Sequence, residues 1–245
     1  MRLSKSWAVA SKDFEVFRKK KSVVYSAFII PILASVFLPL VMQYVEGSSN
    51  VPGPELVVLL PAFTFFYMIL AGLIPTTIAA YSIVGEKVEK SFEPLLATPM
   101  TDGEILLGKG IAAFLPPIAA ILAGALVFMG LMDAVTYGAI GYNYFPNWNA
   151  AIVFLLMVPL AAVMSVEWNV IVSARVNDVR VASQIGMLLI LPFAGIYVGG
   201  ELKLIPLDDV ATLLIITGLL LLFDLILLFI SRATFRREEI LTRWK

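Results

Sequence analysis

The groups able to do chemistry in this chain are carboxylates, amines and hydroxyls, because the sequence holds neither cysteine nor histidine. That removes thiol nucleophiles, disulfides, imidazole bases and the usual zinc ligands. Two carboxylates stand out by position. Glu167 and Asp224 lie in apolar stretches, about eight residues before Arg175 and Arg232, roughly 12 Å at the rise of a helix. Asn169 stands close to the first acid. A carboxylate in hydrocarbon costs at least about 2.5–3.5 kcal/mol unless it is paired, protonated or facing water. No Lys or Arg is expected at the same depth, so two readings stay open. The acids are protonated and hydrogen-bonded between helices, or they line a wet path for an ion or substrate. Two separated acids supply little for catalysis, so no catalytic, cofactor or metal residues are expected.

One phosphate-binding pattern is a decoy. Gly103-x-x-x-x-Gly108-Lys109 matches the start of the Walker A motif, whose glycines cradle phosphates and whose final hydroxyl binds Mg²⁺. Here Gly110 stands where that hydroxyl is needed. No strand precedes the run, and an apolar stretch follows it. ATP binding by this chain is not expected.

The surroundings of those residues are membrane helices. The chain is 60% apolar and 15% charged, against about 45–50% and about 25% in soluble domains. Six apolar stretches fall near 22–45, 56–84, 106–132, 150–173, 182–199 and 210–231, and a bilayer core takes about 20 residues per helix. They are too long and too uniformly apolar for barrel strands, so the expected fold is an all-α, six-span integral membrane protein forming one transmembrane domain over 1–245. With the loops placed alternately on two sides, 17 of the 18 Lys and Arg residues fall inside and only Lys203 outside. That is the positive-inside pattern, and it puts both termini in the cytoplasm. The first apolar run is well beyond a signal-peptide core of about 7–15 residues, so it is expected to be a retained span. Zero net charge gives no bulk field that would draw nucleic acid.

Ahead of the first span, Leu3, Trp7, Ala10, Phe14 and Phe17 recur at helical spacing over 3–20, with Lys5, Lys12, Arg18 and Lys19 off the stripe. This predicts an amphipathic helix lying in the interface, its cations toward anionic headgroups. The outside loops are short: Glu46 to Glu55, Asp133 to Asn149 and Gly200 to Asp209. The second is rich in Tyr, Phe and Trp, as in an interfacial aromatic belt. Ala120/Gly124 and Gly195/Gly199 are small-xxx-small pairs that would let helices approach closely. Prolines interrupt most of the spans and predict bends.

The longest inside connection is the loop 85–105. Glu86 and Lys90 are an i,i+4 pair on a helix leaving the membrane. Pro94 suits a first helical position, Leu95 and Leu96 then project apolar surface, and Pro99 ends that short helix. Thr101 with Glu104 forms a capping box for the next helix. A small helix with exposed leucines needs something to cover it.

The run Glu86-x-x-Glu89-Lys90-Ser91-Phe92-Glu93-Pro94-Leu95-Leu96-Ala97-Thr98-Pro99, followed by Glu-Ile-Leu-Leu-Gly108-Lys109, resembles the signature of permease subunits of ABC type-2 exporters. Lys90-Ser91-Phe92 stands where Gly-Thr-Leu is more usual in that family. The loop 174–180 is also similar to the family's second cytoplasmic loop. The resemblance implies that residues 93–98 form a coupling helix seated on a separate ABC ATPase subunit, which would hold ATP and Mg. Leu95 and Leu96 would be its apolar anchors between Pro94 and Pro99. Glu86, Glu89, Lys90 and Glu93 would supply polar contacts, with Lys109 closing the motif. It also implies a second permease half, identical or paralogous, in the plasma membrane. The alternative is a stand-alone secondary transporter or ion channel using Glu167 and Asp224.

Leu95→Asp and Glu93→Lys should abolish coupling to the ATPase while leaving membrane insertion intact. Unchanged ATPase stimulation and transport in both variants would remove the coupling-helix assignment.

Overall fold

The computed structural model describes residues 3–49, 53–89 and 98–234. Among these the regular structure is helical throughout, and six helices are long and apolar enough to cross a membrane. Helix α1 (Leu3–Lys19) precedes α2 (Lys21–Ser49). Helix α3 (Gly53–Ala80) runs on through a π-turn, Tyr81–Gly85, into Glu86–Val88. Then come α4 (Asp102–Ile140), α5 (Trp148–Ser173, with a π-turn at Val153–Met157), α6 (Val179–Met187), α7 (Ile190–Glu201) and α8 (Val210–Thr234). Contacts at both ends fix the alternation of direction. The last turn of α3, the first turns of α4 and the end of α5 gather beside α1, and this is called the basic end below. Asn149 meets Asp208 at the opposite end.

The most buried helix is α3, and its Tyr67 side chain is fully enclosed. The Tyr67 ring packs against Phe128 and Phe154, with centroids 5.2 and 5.3 Å away. Its hydroxyl donates to Ser35 Oγ (2.9 Å), and Ser35 Oγ lies 2.7 Å from the Gly124 carbonyl and 2.6 Å from that of Pro31. One polar cluster thus joins α2, α3 and α4 where no water would satisfy the groups. It also explains Gly124: a Cβ there would lie 2.8 Å from Ser35 Oγ and 3.1 Å from the Pro31 carbonyl oxygen. Ala120/Gly124 is therefore a helix contact. Gly195/Gly199 is not one. Nothing lies within 4 Å of a Cβ at Gly195, and one at Gly199 would meet Ile205 in the following loop. The apolar faces of α7 and α8 point outward, including Leu222, Leu225 and Phe229 on α8.

Two elements depart from expectation. Helix α4 does not end near 132: it continues to Ile140 and stops at Gly141, whose φ of +83° suits glycine. Asp133 is therefore helical. Its Oδ1 accepts the backbone N–H groups of Tyr144 (2.9 Å) and Phe145 (3.0 Å), folding the shortened aromatic loop back onto α4. The stretch 182–199 lies in one span, Val179–Glu201, that is built of two helices, α6 and α7. The break at Leu188–Leu189 precedes Pro192, whose missing N–H falls in the first turn of α7, where donors lack helical partners anyway. The capping box is present in both halves, with Glu104 N–H donating to Thr101 Oγ1 and Thr101 N–H to Glu104 Oε2.

Gly124→Ala should destabilise the protein by about 1–3 kcal/mol, seen as a lower unfolding midpoint in detergent. Gly130→Ala on the same helix, where a Cβ meets open space, should leave the midpoint unchanged or raise it.

Candidate functional site

The π-turn at the end of α3 underwinds the helix and brings Ser82 and Glu86 over α4. There Lys109 is 1% exposed, and its ammonium lies 2.6 Å from Glu86 Oε2 and 3.4 Å from Asp13 Oδ2. It also donates to the Ser82 carbonyl at 2.7 Å. The Ser82 hydroxyl donates to Asp13 Oδ2 at 2.6 Å, and Lys12 reaches Glu86 Oε1 at 2.8 Å. Burial raises the Asp13 carboxyl above the usual carboxylate range, more than Lys109 and the Ser82 hydrogen bond lower it. A buried network of this kind stands only while every charge keeps its partner.

Helix α1 reaches this cluster because Gly108 lets it. A Cβ at Gly108 would lie 2.5 Å from the Ser6 carbonyl oxygen and 2.7 Å from Val9 Cβ. Gly108 and Lys109 thus act together: the glycine admits the α1 backbone and the lysine grips its Asp13. That is a structural use for the residues that mimic a phosphate loop. The buried face of α1 is Ser6, Val9, Ala10, Asp13 and Phe17, which is rotated from the predicted stripe. Leu3 and Trp7 are exposed.

Lysines of α1, and Lys20 just after it, also hold both ends of the loop between α3 and α4. Lys5 donates to the Pro99 carbonyl (2.8 Å), Lys12 pairs with Glu86, and Lys20 pairs with Glu89. Tyr81 donates to the same Glu89 oxygen at 2.9 Å, and the Lys20 ammonium stands 4.3 Å over the Tyr81 ring. Next to this, Lys87 donates to the Ser173 carbonyl at 2.5 Å, tying α3 to α5.

Deeper in the bundle, Glu167 on α5 and Asp224 on α8 lie within electrostatic reach of one another. Arg232 lies within reach of Glu167, so a cation does approach the first acid. The arginine lines the same cavity as the acid, at the end of α8. Glu167 Oε2 and both Asp224 carboxylate oxygens find no hydrogen-bond partner among the described residues. Asn169 does not join them. It lies on another face of α5, where its Oδ1 accepts from Ser173 (2.8 Å) and its amide donates to the Ala182 carbonyl (3.4 Å).

Residues 7–205 match the family model described as ABC-2 family transporter protein. The chain belongs to the ABC-2 transporter family. It is therefore a membrane permease of an ABC transporter, a transport subunit with several membrane-spanning helices. No curated protein matches the chain.

Within this ABC-2 permease, Glu86, Glu89, Pro99 and Lys109 come together around α1. Lys90, Glu93, Pro94, Leu95 and Leu96 lie outside the described residues. Two of the gathered residues differ from what their place in the motif suggested. The charged ends of Glu86 and Lys109 face each other inside the protein rather than outward, because each neutralises the other's buried charge. Sequence reasoning missed Asp13, Ser82, Lys12 and Lys20. One signal was available: Asp13 is an acid in the middle of a basic helix.

Lys109→Met should cost about 3–5 kcal/mol, since it leaves Asp13 and the Ser82 carbonyl buried without their cation and Glu86 with Lys12 alone. Asp13→Asn should cost much less, because burial already disfavours that charge and the amide oxygen can still accept from Ser82. Thermal unfolding of the two variants in detergent checks the order, and an Asp13→Asn loss as large as that of Lys109→Met would contradict it.

Proposed function

We propose that this permease is one membrane half of an ATP-driven exporter, switched by a separate ATPase subunit that docks on the loop 85–105 at the cytoplasmic face. The observation that carries this reading is the double anchorage of that loop. Its entry at Glu86 and its exit at Pro99 are both bonded to α1, Glu89 is bonded to Lys20 just after α1, and Glu86 is bonded to Lys109 of α4 as well. A loop held in this way passes a push directly to three helices. The segment between the anchors contains Glu93, Pro94, Leu95 and Leu96, where two leucines would enter an apolar groove of the partner.

In this mechanism the ATPase subunit holds ATP and Mg²⁺ and supplies the energy, and the permease residues supply the linkage. Closure of the ATPases pushes the coupling segment, and the Glu86–Lys109–Asp13 network makes α1, the end of α3 and the start of α4 move together. Rigid-body motion of this kind switches a bistable assembly. A six-span half needs a second half, identical or paralogous, to enclose a path. The placement of 17 of 18 basic residues on one side supports cytoplasmic termini and an orientation with the loop facing the ATPase.

Affinity purification of the chain from its native membrane should bring down a stoichiometric ABC ATPase; recovery of the permease without one would sink the reading. The chain has no cysteine of its own, so Glu89→Cys gives a single label site. Its modification by an impermeant maleimide should occur only from the cytoplasmic side and should slow when the ATPase is bound.

A further inference from the structure

A cavity of about 230 Å³ lies between α4, α5 and α8 near the basic end. Its walls are apolar, with Leu106, Ile111 and Phe114 from α4 and Val163 from α5 among them. Only Glu167, Ser231 and Arg232 interrupt them with polar side chains. Glu167 is 9% exposed, and its Oε2 lacks a donor among the described residues. Asp224, 5% exposed, lies one helical turn before Leu228 of the cavity wall and leaves both oxygens without donors. Arg232 lines the same space, and its side chain is otherwise exposed.

These groups define what would fit. Glu167 Oε2 is the acceptor in the wall without a donor among the described residues; it calls for an N–H group, and a primary ammonium carries three. Glu167 and the nearby Asp224 outnumber Arg232 by one acid, so a monocation that keeps both acids ionised balances the site. Apolar walls call for a hydrocarbon or aromatic body. We propose that this cavity binds a lipophilic primary amine, its ammonium on Glu167 with Asp224 behind, and its apolar body along α4 and α5. Arg232 then acts as a like charge that weakens binding. This site needs no ATPase, so it stands or falls separately from the coupling reading.

The test is binding of radiolabelled octylamine to the intact permease in nanodiscs, without ATP, with partition into empty nanodiscs subtracted. Octylamine should bind saturably and displace better than octyltrimethylammonium or octanol, which lack N–H donors on a cation. Glu167→Gln should weaken binding about tenfold or more, the scale of a lost charge-assisted hydrogen bond. Gly110→Leu should abolish it by filling the cavity; a Cβ there meets only Val166 Cγ1, at 3.9 Å, so the substitution fits the fold. Arg232→Gln should strengthen binding. Octanol binding as well as octylamine, or unchanged binding in both Glu167→Gln and Gly110→Leu, would overturn the site. Weaker binding in Arg232→Gln would overturn the monocation and point to a zwitterion instead.

Discussion

The buried ammonium of Lys109 is the contact on which the basic end of this permease depends. Removing an ammonium from water costs several kcal/mol, and the cost is recovered only with close, well-directed acceptors. Glu86, Asp13 and the Ser82 carbonyl are such acceptors, and they come from the end of α3 and from α1. One side chain therefore sets the spacing of three helices. The π-turn Tyr81–Gly85 belongs to the same device, since it aims Ser82 and Glu86 at Lys109. π-turns of this kind are frequent at functional sites.

Charge and shape act jointly there. Gly108 removes the side chain that would hold α1 away, and Lys109 supplies the charge that holds it close. The adjacent pair gives a run that resembles a nucleotide loop a structural use. Lys5 and Lys12 of α1, and Lys20 just after it, meet Pro99, Glu86 and Glu89. Direct pairs at hydrogen-bond distance are screened less than charges across solvent.

Three polar sites within the helices contrast in how they are satisfied among the described residues. Ser35, Tyr67 and the Gly124 carbonyl complete one another, and so do Asn169, Ser173 and the Ala182 carbonyl. Glu167 and Asp224 do not. A membrane bundle normally pairs its polar groups internally, so carboxylates left with free acceptors mark the cavity beside them as a place for a ligand.

Much of the architecture was legible in the residues themselves. Apolar runs of spanning length and the Thr101–Glu104 capping box are local patterns, and local patterns determine where helices form. The family signature was equally plain from Glu86 to Lys109. What the chain alone did not reveal was which polar groups meet. Asp13 and Lys109 are far apart in sequence, and the rotation of α1 that joins them depends on a close approach at Gly108. Asn169 and Glu167 are near neighbours in sequence, yet helical geometry turns them to different partners. Likewise Asp133, read as the start of a loop, proved to be its helical anchor. The sequence by itself determined the spans and their membership in the ABC-2 family, because hydropathy and motifs act over short range. The tertiary structure decided the partner of each buried charge, because that is settled only when separate helices pack.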